Sequence, residues 1–196
     1  GHILALFDPL SSLDVIEEVL IGAGISKPHW GQEDALGKDF NTVLKVISDK
    51  GGLAIAAHAD GPKGFFTTIL QVQTHIKIYK DPNLSALELI SLDKKDAYVD
   101  GKVPGYDRSV PCIQGSDAHA INQIGSKHTL IRMHRISLEG VRQAFAAPKT
   151  RIRFPSEWKA RAYPYVCGLK VSNGFLAGQD FQFNSNLNCL VLGFCK

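Results

Sequence analysis

Two stretches of this chain carry residue types that do chemistry. The first is Val110-Pro-Cys-Ile-Gln-Gly-Ser-Asp-Ala-His119. Its apolar run, Val110 to Ile113, reads as a short buried strand. Gly115 lets the backbone turn, and Asp117 and His119 follow two residues apart. In an extended tip such residues point to one side. A carboxylate and an imidazole on one side suit a divalent metal, and they are also the parts of an acid/base pair. The plainer alternative is an Asp that caps the next turn beside a surface His. The second stretch is Gly51-Gly-Leu-Ala-Ile-Ala-Ala-His58-Ala-Asp60, where a histidine again ends a continuous apolar run. Alone, such a His58 is more often a hydrogen-bonded core histidine. A third histidine, His2, leads the apolar run GHILALF.

The elements that must position these residues follow from periodicity. Residues 1–7 form a strand, ended by Asp8-Pro9. Ser12 or Asp14 caps a helix with Leu13, Ile16, Val19 and Leu20 at helical spacing, stopped by Gly22 and Gly24. Residues 26–39 mix Gly, Pro, Trp and acids and read as a loop or a poorly ordered lid. Asn41 opens a second helix through Val43, Leu44 and Ile47, and Gly51-Gly52 closes it. Leu53 to Ala57 is a strand, and a less regular helix runs from Phe65 to about Ile78. Residues 84–92 hold the next strand (ALELISL), 93–107 a polar loop, and then comes the Val110 strand. A further strand lies within 124–133. Leu138, Val141, Ala144 and Phe145 make one helical face after Ser137, ended by Pro148. Continuous apolar strands alternating with helices predict a parallel sheet covered on both faces. In (β/α) barrels, functional groups sit at C-terminal strand ends. His58 and Asp117 obey that rule, and His2, at the start of its strand, does not.

After Arg153 the texture changes. Trp158 to Tyr165 is basic and aromatic. Segments 165–169, 175–183 and 187–192 read as short β segments joined by Ser172-Asn173-Gly174 and Asn184-Ser185-Asn186, of which Ser-Asn-Gly is a hairpin signal. A domain boundary is expected near residues 150–163, dividing 1–153 from a β-rich 154–196.

Composition bounds the rest. The chain has 196 residues and a net charge of +3, too small by itself to argue for nucleic acid. No apolar run nears the ~20 residues that span a bilayer, and no secretory signal is present. Cys112, Cys167, Cys189 and Cys195 show no CxxC pairing, which predicts reduced thiols in a cytoplasmic protein. Both ends read as cut from something larger.

With GGLAIAAHAD and Gly115-Ser-Asp-Ala-His119 both in view, the sequence resembles the PHP (polymerase and histidinol phosphatase) family of phosphoesterases. Those enzymes are distorted (β/α)7 barrels that hold divalent zinc, manganese or iron and cleave phosphate esters. The resemblance implies an α/β fold, here a partial PHP barrel. It implies His2, His58, Asp117 and His119 as metal ligands, with a metal-bound water as nucleophile. The family's opening His-x-His, its following Asp and His, and the Glu before the HI strand have no counterpart here and would lie N-terminal to Gly1. Residues 124–145 are similar to the end of PHP modules fused to an SMC/RecF-like AAA ATPase, and Phe183 to Gly193 resembles the lead-in to its P-loop. The P-loop pattern GxxxxGK[ST] puts its lysine about six positions after the first glycine. Lys196 stands three after Gly193, so an ATP site would need a longer parent protein.

Expected function is thus a metal-dependent phosphoesterase acting on a phosphate ester, with nucleic acid or a nucleotide as the expected substrate. The alternative is a non-catalytic, truncated PHP-like module serving an ATPase as an interaction or regulatory part. Lys63, in the loop HADGPKG, can meet substrate phosphate as a point charge, although a solvated lysine is the commoner reading. Glu88 is read equally as a buried carboxylate near the metals or a half-exposed strand residue. His29, His75, His128 and His134 have no partner at ligand spacing. Arg132, Arg135, Arg142, Arg151 and Arg153 make a basic run, which touches nucleic acid or is a solvated face. A partial barrel exposes sheet edges, so self-association is expected.

Overall fold

The structure is a computed structural model that describes residues 1–32, 35–157, 168–170, 178 and 180–182. Two compact units divide the chain, Gly1–Trp158 and Lys159–Lys196.

The first unit is built on a four-stranded sheet in the order β1-β2-β3-β4. Its strands are β1 (Ile3–Leu6), β2 (Leu53–Ala56), β3 (Leu84–Glu88) and β4 (Cys112–Ile113). β2, β3 and β4 are parallel. The parallel sheet expected from the sequence is corrected at β1, which pairs with β2 antiparallel, Ile3 opposite Ala56 and Leu6 opposite Leu53. A closed barrel is not seen among the described residues.

β2 reads as unbroken apolar sequence because both of its faces are covered. Side chains alternate across a sheet. Ala54 and Ala56 join the core of Leu44, Ile47, Ile78, Tyr79 and Leu87. Leu53 and Ile55 join Ala144, Phe145, Ile152 and Phe154 on the other side. The first core is supplied by α1 (Leu13–Gly22), α2 (Phe40–Asp49), α4 (Val72–Lys80) and α5 (Lys95–Asp100). The second is supplied by α6 (Leu138–Ala146) and the segment after it.

Local signals set the helix ends. Asp39, rather than Asn41, caps α2: its carboxylate accepts from the Thr42 N–H at 3.2 Å and the Thr42 hydroxyl at 2.7 Å. Those bonds hold the Asp39 carboxyl below its ordinary value. Asn41 instead donates to Asp81 at 2.5 Å. The single helix expected over 65–78 is two, α3 (Phe65–Thr68) and α4, broken at Ile69-Leu70. The polar loop 93–107 contains α5, ended by Gly101 at φ 66 in the left-handed conformation that glycine adopts freely. Ser137 caps α6 through a 3.0 Å bond from the Gly140 N–H. Pro148 opens a further turn, α7 (Pro148–Arg151), as proline does at a first helical position. β5 (Leu130–Ile131) and β6 (Ile152–Arg153) form a separate antiparallel pair.

In the second unit, β7 (Gly168–Lys170) pairs antiparallel with β8 (Asp180–Gln182). The basic-aromatic stretch 158–165, the two turns, the segment 187–192, the P-loop lead-in 183–193, Lys196, Cys167, Cys189 and Cys195 lie outside the described residues. Among the described residues no helix is long and apolar enough to cross a membrane.

Candidate metal centre

The antiparallel course of β1 resolves the position of His2. A strand running against β2 begins where β2 ends. The Ala57 N–H donates to the His2 carbonyl at 3.1 Å, which sets His2 beside His58. His2 Nδ1 lies 3.1 Å from His58 Nε2, with the rings at 72°. Two imidazole nitrogens that share one metal at about 2.0–2.1 Å each are roughly 2.9–3.4 Å apart for inter-ligand angles of about 90–110°. The observed spacing falls within that range, and it is also a hydrogen-bond distance.

His58 is held from several sides. Its backbone is left-handed, φ 31, a conformation that costs a non-glycine residue on the order of 1–3 kcal/mol unless its surroundings impose it. The surroundings do so. Glu88 Oε2 accepts the His58 N–H at 3.0 Å, and Gly61 donates to the His58 carbonyl at 2.7 Å. Gly64 packs so closely that a Cβ there would stand 2.2 Å from the His58 oxygen. Asp60 fastens the loop to the exit of β3, accepting from Ile90 N–H at 2.6 Å and Ser91 N–H at 2.9 Å. His58 is 8% exposed, and its Nδ1 is buried without a hydrogen-bond partner among the described residues.

The exit of β4 is built differently. Cys112 is buried in the strand, and burial pushes its thiol up to about 12. Asp117 and His119 were expected side by side in an extended tip, and this is corrected. Asp117 turns left-handed at φ 46, and His119 folds back on it. His119 Nδ1 lies 2.8 Å from the Asp117 carbonyl. A carbonyl only accepts, so Nδ1 carries the proton and Nε2 is left with a lone pair. That tautomer is the one metal-ligating histidines commonly show. Both residues are exposed.

Electrostatics tie the two exits together. His2 is held below the ordinary histidine value of 6.5, first by partial burial, then by His58 and by Lys63. Asp117 acts in the opposite sense. The lowering favours the neutral imidazole, the form that can offer a lone pair to a metal. Across the site, Gly115 is the residue that Glu88 requires: a Cβ there would stand 2.4 Å from Glu88 Oε1.

Among the described residues no group of three or more His, Cys, Asp and Glu side chains is already gathered to hold an ion. The structure brings His2 to His58 and leaves His119 turned onto Asp117. The role of Glu88 was left open by the sequence, and its signal was a lone carboxylate inside an apolar strand. The clamp made by Asp60 had no signal beyond its position after His58. Of the basic run, Arg142 donates to the Gly51 carbonyl, Arg151 to that of Arg132, and Arg153 to those of Lys149 and Ile152.

Comparison of the chain with protein-family models, with curated proteins and with solved structures gave no match.

Proposed function

We propose that this chain carries part of the centre of a metal-dependent phosphoesterase, with His2, His58, Asp117 and His119 as the ligands it contributes. The observation that carries the reading is the 3.1 Å approach of His2 Nδ1 to His58 Nε2 at the C-terminal end of β2. The donor set of imidazoles and a carboxylate fits zinc, manganese or iron. Such an ion supplies a hydroxide near neutral pH and neutralises phosphate oxygens. The protein's own residues do the rest. Glu88 and the Gly61–Gly64 turn hold His58 in its conformation. The Asp117 carbonyl fixes the His119 tautomer. Lys63, exposed in the same loop, offers a cation to substrate phosphate. The setting we infer is cytoplasmic, which the buried thiol of Cys112 supports. The apolar edge strand β1, with Leu4 44% and Leu6 41% exposed, favours pairing with a second copy.

Zinc titration of the chain, beside His2→Ala and His58→Ala, tests the ligands. The expected result is one bound equivalent, weakened at least about tenfold in each variant. Zinc uptake equal in all three proteins, or absent from all, overturns the reading.

One observation favours a second reading, a non-catalytic module. A His58 that bound metal through Nε2 would carry its proton on Nδ1, and that buried atom has no acceptor among the described residues. A His58 that donates from Nε2 to His2 leaves a lone pair on Nδ1 instead, and an unpaired buried acceptor is better tolerated than an unpaired buried N–H. The tautomer of His58, read from its ¹⁵N shifts with and without zinc, separates the two.

A further inference from the structure

β1 is the outer strand of the four-stranded sheet. The 3.1 Å bond from the Ala57 N–H to the His2 carbonyl fixes which way its backbone groups face. In an antiparallel ladder, hydrogen-bonded and non-hydrogen-bonded pairs alternate. His2–Ala57, Leu4–Ile55 and Leu6–Leu53 are therefore the bonded pairs of the observed register. The N–H and C=O groups of Ile3 and Ala5 face the other way, and none of the described residues bonds to them.

This edge lacks the usual guards. Ile3–Leu6 carries no lysine, proline or bulge. One of its faces is also short of cover. Leu4 and Leu6 stand opposite Ile55 and Leu53, on the face that α6 and Phe154 cover over β2. Over β1 that cover runs out, and both leucines are exposed. An open ladder and a bare apolar strip thus lie on one strand.

The strand is also complementary to itself. A two-fold axis can pair β1 with a second β1 only where outward-facing residues meet outward-facing residues. Phe7 and Asp8 continue the strand before the turn at Pro9. An axis at Ala5 sets Leu4 against Leu6 of the second copy, and His2 against Asp8 of the second copy. It matches apolar to apolar and imidazole to carboxylate. The neighbouring axes do not. An axis at Leu4 sets His2 against Leu6, and one at Leu6 sets Leu4 against Asp8.

Opposite residues in such a pair have Cβ atoms about 4.5–5.5 Å apart, within hydrogen-bond reach for a histidine and an aspartate. Asp8 Oδ1 accepts the Leu10 N–H at 2.9 Å, which fixes the carboxylate and leaves Oδ2 to accept another donor. His2 can supply it. Its Nδ1 lies against His58, so Nε2 is the nitrogen left to turn outward. A histidine that ligates a metal through one nitrogen commonly donates the other ring N–H to a carboxylate.

We propose that two copies of this chain join β1 to β1 about an axis at Ala5, making one eight-stranded sheet, and that Asp8 of the second copy is a positioning residue for His2. The interface rests on β1 alone, and the service of Asp8 to a metal ligand rests on the phosphoesterase reading.

Sedimentation equilibrium of the full chain tests the interface. The unaltered chain is a dimer. Ala5→Pro removes an outward N–H, spares the bonds to β2 and gives a monomer. Leu4→Lys, at an exposed position, sets lysine against Leu6 of the second copy twice over and weakens the dimer about tenfold. Leu4→Lys/Leu6→Glu sets each lysine against a glutamate and restores the dimer, whereas an axis at Leu4 would set lysine against lysine. A monomeric chain, a dimer that survives both single substitutions, or a double variant no tighter than Leu4→Lys overturns the interface. Asp8→Asn keeps the Leu10 bond through its carbonyl oxygen and turns an N–H toward His2. Without zinc, the ¹⁵N shifts of His2 then leave the Nε2–H tautomer while the dimer persists, and zinc binding weakens about tenfold. A His2 tautomer unmoved by Asp8→Asn overturns the role of Asp8. Zinc titration keeps the two readings apart. A dimer that takes up no zinc sustains the interface and sinks the metal centre. A monomer that binds zinc, and loses it in His58→Ala, does the reverse.

Discussion

The exits of β2 and β4 meet the same backbone problem in opposite ways. His58 and Asp117 both turn left-handed as their strands end, at φ 31 and φ 46. At His58 the turn is imposed from a distance. Glu88, thirty residues away, takes its N–H, and the ring is buried against His2. At Asp117 the turn is imposed locally, by a histidine two residues on, and both side chains face solvent. Aspartate is also among the residues that tolerate this conformation best. One half of the candidate centre is therefore held by tertiary contacts and the other by its own sequence neighbours. The first side presents a buried His58 beside His2, and the second an exposed loop.

Glycine substitution breaks this comparison most directly. Asp117→Gly relieves the left-handed turn, loses little burial, and shifts stability by no more than about 1 kcal/mol. His58→Gly relieves the same strain but empties a buried site, and costs about 2 kcal/mol or more. Urea unfolding of the two variants measures the difference, and equal effects would show that the two exits are held alike. Glu88→Ala acts next. It leaves a His58 N–H without an acceptor, at a cost of about 1–3 kcal/mol. The crosspeaks of His2 and His58 in a ¹H–¹⁵N spectrum move with it, while those of His119 stay in place.

Gly115→Ala sharpens the comparison by probing a close approach between the exits. The added methyl meets Glu88 Oε1, and forcing the carboxylate aside costs about 1 kcal/mol. In a double-mutant cycle that cost vanishes when Glu88 is already alanine, and additivity would show that the contact is not the cause. Gln123→Ala is the smallest. It removes the acceptor of the His119 N–H at 2.8 Å and the Ala120 N–H at 3.2 Å, both exposed to water. The expected loss is below about 1 kcal/mol, with no change at His58.

Much of the framework was legible because it is written in local pattern. The apolar run 53–57, the helical spacing of Val43, Leu44 and Ile47, and Ser137 before α6 each depend on neighbours in sequence. The break between α3 and α4 and the short α5 were not legible. Ile69-Leu70 carries no proline or glycine, and residues 95–100 hold too few apolar positions to show a helical period.

Residue order alone determined which side chains can do chemistry here and that His58 and Asp117 stand at strand exits. An apolar run followed by a turn and a polar residue dictates that much by burial. Tertiary structure decided which of them come together. The antiparallel pairing of β1, the reach of Glu88 to the His58 backbone and the stacking of Phe66 on Tyr98 all join residues far apart in the chain. Such contacts follow from how whole elements pack, and no spacing within one segment encodes them.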